Sequence, residues 1–96
     1  MTKQEFEFGI CWFQSEQWER LIEISEDREE LDDNYEEWRK NASRAFDDII
    51  SHGKKVRKMR VNLEDLLAWC NENGVPVNGR SRANYVAYLL EHKREP

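Results

Sequence analysis

Two segments of this chain have the alternation of β-strands, and a long stretch of helical pattern separates them. Residues 5–13, EFEFGICWF, place Phe6, Phe8, Ile10 and Trp12 on one face and Glu5, Glu7, Gly9, Cys11 and Phe13 on the other. Residues 54–61 alternate again, with Arg57, Met59 and Val61 on one face and Val56, Lys58 and Arg60 on the other. If the two segments pair directly, the helical crossover between them favours a parallel arrangement of right-handed sense. Two strands make a poor sheet by themselves, so the helices must supply most of the core, unless strand edges join in a dimer. The basic residues of the second segment are expected beside Glu5 and Glu7, because opposite charges on neighbouring strands attract.

The helical pattern divides into four pieces. Ser15 is placed to cap a short helix whose apolar stripe is Trp18, Leu21, Ile22 and Ser25. Asp33 and Glu36 have the spacing of a capping box ahead of a longer helix at about residues 34–52. Its stripe is Tyr35, Trp38, Ala42, Ala45, Phe46 and Ile49, and Gly53 is available for a left-handed end. Asn62 caps a third helix with Leu63, Leu66, Leu67 and Cys70 inward, which Gly74 stops. Pro76 makes 75–77 an extended connection. The last helix begins near Asn78 or Ser81, with Ala83, Val86, Ala87 and Leu90 facing inward. The predicted fold is α+β: a mainly helical single domain over residues 1–96, with about four helices and two short strands, and with residues 1–4 and 92–96 frayed.

Charged residues reach 36%, a level that can signal disorder, but aromatics at 11% argue for a folded core beneath a charged surface. The charge is polarised. Residues 1–48 carry 15 acidic and 6 basic side chains, net −9, and residues 49–96 carry 5 and 9, net +4. Such halves most simply fold with their charges facing each other. Cys11 and Cys70 are too few for a disulfide scaffold and lack the spacing of a redox or metal pair. Nothing in the sequence has the apolar length of a membrane span, and a cytoplasmic location with reduced thiols is expected.

Chemistry-bearing patterns are sparse. The carboxylates Glu26, Asp27, Glu29, Glu30, Asp32, Asp33, Glu36 and Glu37 lack the alternation and glycine of a calcium loop, so no metal is expected there. They lie where the dipole of the long helix favours negative charge. The run Lys54, Lys55, Arg57, Lys58 and Arg60 suits phosphates, but strand alternation splits it between two faces and the whole chain is acidic, net −5. Arg80 and Arg82 oppose the dipole at the start of the last helix, which calls for a negative partner. Either an anionic ligand or the chain's own acidic half would serve, and the internal pairing is preferred. His52 and His92 have no nucleophile at a recognisable spacing, and no glycine-rich phosphate loop occurs. No catalytic residue and no cofactor are assigned. Trp69 lies beside, rather than on, its helix's apolar stripe. It either widens the core or anchors a partner, and it is the best single candidate for an interface.

The spacing from Trp12-Phe13 through Glu16-Gln17-Trp18, Tyr35-Glu36-Glu37-Trp38, Leu66 to Trp69-Cys70 and Ser81-Arg82-Ala83 to Tyr85-Val86-Ala87 resembles a family of small bacterial proteins of unknown function. The resemblance spans nearly the whole chain and implies a bacterial cytoplasmic origin. It brings no activity, cofactor or catalytic residue. The reading that follows is a non-catalytic interaction or regulatory protein, self-association included, with Trp69, Arg80 and Arg82 as partner-binding residues. A protein partner or a homodimer is expected and nucleic acid is disfavoured. The alternative is an anion or nucleic-acid binding module built on residues 54–60 with Arg80 and Arg82, and a small-molecule enzyme using His52 or His92 ranks third.

Overall fold

The structure, a computed structural model, describes residues 8–92 of the 96. Its elements are β1 (Phe8–Trp12), α1 (Trp18–Ile24), α2 (Tyr35–Ser51), β2 (Val56–Arg60), α3 (Leu63–Glu72) and α4 (Gly79–Glu91), with 3₁₀ turns at Ser15–Gln17 and Arg28–Glu30. The α+β, mainly helical prediction is met by these four helices and two strands. β1 and β2 pair in parallel within one chain, in register from Phe8 opposite Val56 to Trp12 opposite Arg60. The expected neighbours Glu5 and Glu7, with Phe6 and the tail from 93 onward, lie outside the described residues.

Helices cover both faces of this two-stranded sheet. On one face, α4 crosses so close to Gly9 that a Cβ there would lie 2.7 Å from Met59 Cγ and 2.8 Å from Val86 Cγ1. A Gly9→Ala substitution is therefore expected to overpack the core and cost about 1–3 kcal/mol, read as a lowered urea midpoint at unchanged slope. On the other face, Trp12 packs against α2 through Trp38 and Phe46, at ring centroid distances of 5.3 and 6.3 Å. The buried core, including Phe13, Leu21, Met59, Leu66, Cys70, Val77 and Val86, joins the sheet to α1, α3 and α4. Leu21 and Leu66 are fully buried, each contributing about 1.5–3 kcal/mol of transfer free energy.

The helices start and stop through local chemistry. The Asn62 side chain accepts the Asp65 N–H at the start of α3, and the Asn78 side chain accepts the Ser81 N–H at the start of α4. Gly53 and Gly74 follow α2 and α3 with φ of +79° and +67°, a region that L side chains rarely occupy. Two expected starts move by one residue. Asn34, not Asp33, caps α2 by accepting the Glu37 N–H at 2.8 Å. Gln14, not Ser15, precedes the first turn, and its N–H donates to Gln17 Oε1 at 2.7 Å.

Burial on three elements also departs from the simple face pattern. On α4, Tyr85, Val86 and Leu89 are buried and Leu90 is half-buried, while Ala83 and Ala87 are exposed. Tyrosine and leucine offer far more apolar area than alanine, so the helix turns those side chains inward. On β2, Val56 is buried despite sharing a face with the exposed Lys58 and Arg60. On α2, Ala45 is exposed, and Tyr35, Trp38, Ala42, Phe46 and Ile49 are only half-buried. α2 is thus an amphipathic cover rather than a core helix, held at its start by Tyr35 Oη donating to the Phe13 carbonyl at 3.0 Å.

Candidate functional site

The acidic half meets the start of α4. Arg82 Nη2 lies 2.8 Å from Asp27 Oδ2, and Arg82 Nη1 donates to Asp27 Oδ1 and to the hydroxyl of Ser25, each at 3.1 Å. The pair is largely shielded, with side chains 11% and 12% exposed. Gly79 N–H also donates to Asp27 Oδ2 at 3.0 Å, and Asn78 Nδ2 donates to Glu26 at 2.9 Å. Burial opposes ionisation of Asp27, but the hydrogen bonds and charge of Arg82, with the Gly79 N–H, outweigh it and hold the carboxyl below its usual value. The negative group that the arginines called for is Asp27 of the same chain, and it takes the helix-end position that an anionic ligand would occupy.

This junction positions the neighbouring surface. Val77 is 3% exposed and bridges in parallel to Ser25, while its carbonyl accepts the Glu26 N–H at 2.8 Å. Ser81 is buried too, its hydroxyl donating to the Pro76 carbonyl at 2.7 Å. With Val77 and Ser81 drawn inward, Val75, Pro76 and Arg80 are left outward. Val75, at 39% exposed, is one of two large hydrophobic residues left open among the described residues.

The outcome is a groove of about 450 Å³ between the end of α3 and the first turns of α4. Trp69, Val75 and Pro76 supply apolar surface, Asn73 and Asn84 supply amides, and Arg80 supplies the cation. Trp69 is half-buried, with ring centroids 5.4 Å from Tyr85 and 5.9 Å from Tyr88, so it both extends the core and lines the groove. Arg80 is exposed and makes no ion pair among the described residues. Trp69 and Arg80 thus come together, while Arg82 is engaged by Asp27. Sequence reasoning missed Asn73, Val75, Pro76 and Asn84. Gly74 and Pro76 marked a helix stop and an extended connection there, but the outward face of that connection depends on the burial of Val77 and Ser81.

The other candidates lie elsewhere. Lys54, Lys55, Lys58 and Arg60 are exposed, and Arg57 is half-buried. Lys58 Nζ rests 4.3 Å from the Trp12 ring centroid and 4.8 Å from that of Phe46, a cation–π arrangement that engages its charge. His52 and His92 are exposed, each with Nδ1 at a carbonyl one turn back, Asp48 at 2.8 Å and Tyr88 at 2.9 Å, and neither lines the groove. Among the described residues, no group of three or more His, Cys, Asp or Glu could hold a metal ion, and no helix is long and apolar enough to cross a membrane.

Cys11 faces the start of α4, its thiol 3.7 Å from the Arg82 carbonyl. Burial pushes its pKa up to about 12, against a smaller opposing effect of the Arg82 charge. At pH 8 the thiolate is then much scarcer than in a free cysteine. Native-state alkylation of Cys11, followed by mass spectrometry, is expected to be markedly slower than in urea. Equal rates would contradict this burial.

The sequence matches no protein-family model, and neither the curated proteins nor the solved structures give a match.

Proposed function

We propose that this chain is a non-catalytic protein-interaction module whose partner docks in the groove between α3 and α4. The convergence of Trp69, Val75 and Arg80 on that one groove supports the reading. An aromatic edge, an open aliphatic side chain and an exposed arginine together have the composition of an interface anchor. The free thiols of Cys11 and Cys70 suit a reducing compartment, and we assign the protein to the cytoplasm. A second copy of the chain is one form the partner takes in this proposal.

The competing nucleic-acid reading rests on the exposed Lys54, Lys55 and Arg60. It is weaker because Lys58 is held over aromatic rings and Arg82 by Asp27, which leaves a thin cationic surface on an acidic protein. A tagged pull-down from native lysate, with and without nuclease, separates the two. The proposal expects a defined protein that survives nuclease and is lost with Val75→Ser and Arg80→Gln, exposed changes that spare the core. Recovery that vanishes on nuclease treatment, or that ignores both substitutions, would reject it.

A further inference from the structure

The groove is also specific about the chemistry of what fills it. Its walls are apolar at Trp69, Val75 and Pro76, and its single cation, Arg80, stands in the first turn of α4 without an ion partner among the described residues. The neighbouring arginine is different. Arg82 is turned inward onto Asp27, and Asp27 also takes the Gly79 N–H. The end of α4 has therefore met its own need for negative charge, and Arg80 is surplus to it. A fork of guanidinium donors beside an apolar wall complements a carboxylate carried next to a bulky apolar side chain. The amide of Asn84 offers a donor and an acceptor, and Asn73, whose Nδ2 donates to the Trp69 carbonyl at 2.8 Å, adds its amide oxygen, which suits the backbone of an extended peptide. A nucleic acid would need several phosphate contacts, and among the described residues the groove has one cation.

We infer, resting on the proposed docking role of this groove, that its occupant is a peptide segment in which an aspartate or glutamate adjoins an aromatic or branched apolar residue. The apolar side chain packs on Trp69 and Val75, and the carboxylate pairs with Arg80.

An array of hexapeptides tests this with the intact protein as probe. Each peptide sets Phe or Leu beside Asp or Glu, and each has a twin with Asn or Gln in place of the acid. The acidic peptides are expected to be captured roughly fivefold more strongly than their twins at low salt, a preference that Arg80→Gln abolishes. Val75→Ser should weaken capture of both members of each pair. Capture that depends on Val75 but is equal for the twins would overturn the inference while leaving the docking role standing. No Val75-dependent capture at all would overturn both, as would exclusive binding of a fluorescent oligothymidylate offered in parallel.

Discussion

Replacing Asp27 with alanine is expected to destabilise the protein by about 3 kcal/mol, because it leaves the Arg82 guanidinium buried without its counter-charge. The loss combines an unpaired charge with the loss of the acceptor for the Gly79 N–H at the start of α4. Urea denaturation reads the effect, and the double variant Asp27→Ala with Arg82→Met should recover much of it, since neither charge then remains. A double variant as unstable as the single one would show that the pair is not what holds the junction. The pH dependence has a definite sign. The folded pKa of Asp27 lies below its ordinary value of 3.8, so its contribution is present above that value and is lost as pH falls through the folded value. The stability difference between the wild type and Asp27→Asn should therefore shrink below about pH 4.

The second large effect belongs to Trp38. α2 contributes no fully buried residue, so its attachment depends on its half-buried stripe, and Trp38 is the centre of that stripe. Its ring lies 5.3 Å from Trp12, 5.3 Å from Phe13, 6.2 Å from Trp18 and 5.6 Å from Tyr35. Trp38→Ala removes one partner from four aromatic contacts at once, for an expected cost of about 3–5 kcal/mol. Hydrogen exchange should show the amides of α2 losing protection before those of α3, because α2 depends on this cluster and α3 contributes no ring to these contacts. Trp38→Phe, which keeps a ring in the site, should retain most of the stability. If α2 stays protected in Trp38→Ala, its anchor lies elsewhere.

Much of the fold was legible because its signals are local. Strand alternation marked β1 and β2, and the long crossover pointed to the parallel pairing that forms. The side chain of Asn62 announced α3 directly. The misplacements share a physical origin. Asp33 and Asn34 are both good caps in adjacent positions, so the local pattern does not choose between them, and Asn34 is the one that accepts the Glu37 N–H. On α4 the alanines have helical spacing as regular as that of Tyr85, Val86 and Leu89, and burial area decides the rotation.

The site was legible in pieces. Trp69 drew attention as an edge-of-stripe tryptophan, and the arginines as charges opposed to a helix dipole. Which of eight carboxylates would meet Arg82 was not readable, because Asp27 is chosen by the bridge between Ser25 and Val77, residues far apart in sequence. The burial of Val77 and Ser81 leaves Val75 and Arg80 outward, so the groove depends on long-range packing that no local pattern encodes.

The central claim is that a protein partner occupies this groove, and site-specific photo-crosslinking tests it most directly. A benzophenone amino acid is placed at Asn84, which lines the groove, and in a separate protein at Glu36, exposed on α2. On irradiation in nuclease-treated native lysate, the probe at Asn84 should yield one discrete protein adduct that Arg80→Gln greatly reduces, and the probe at Glu36 should not yield it. The same adduct from both positions, or none from Asn84, would contradict the account.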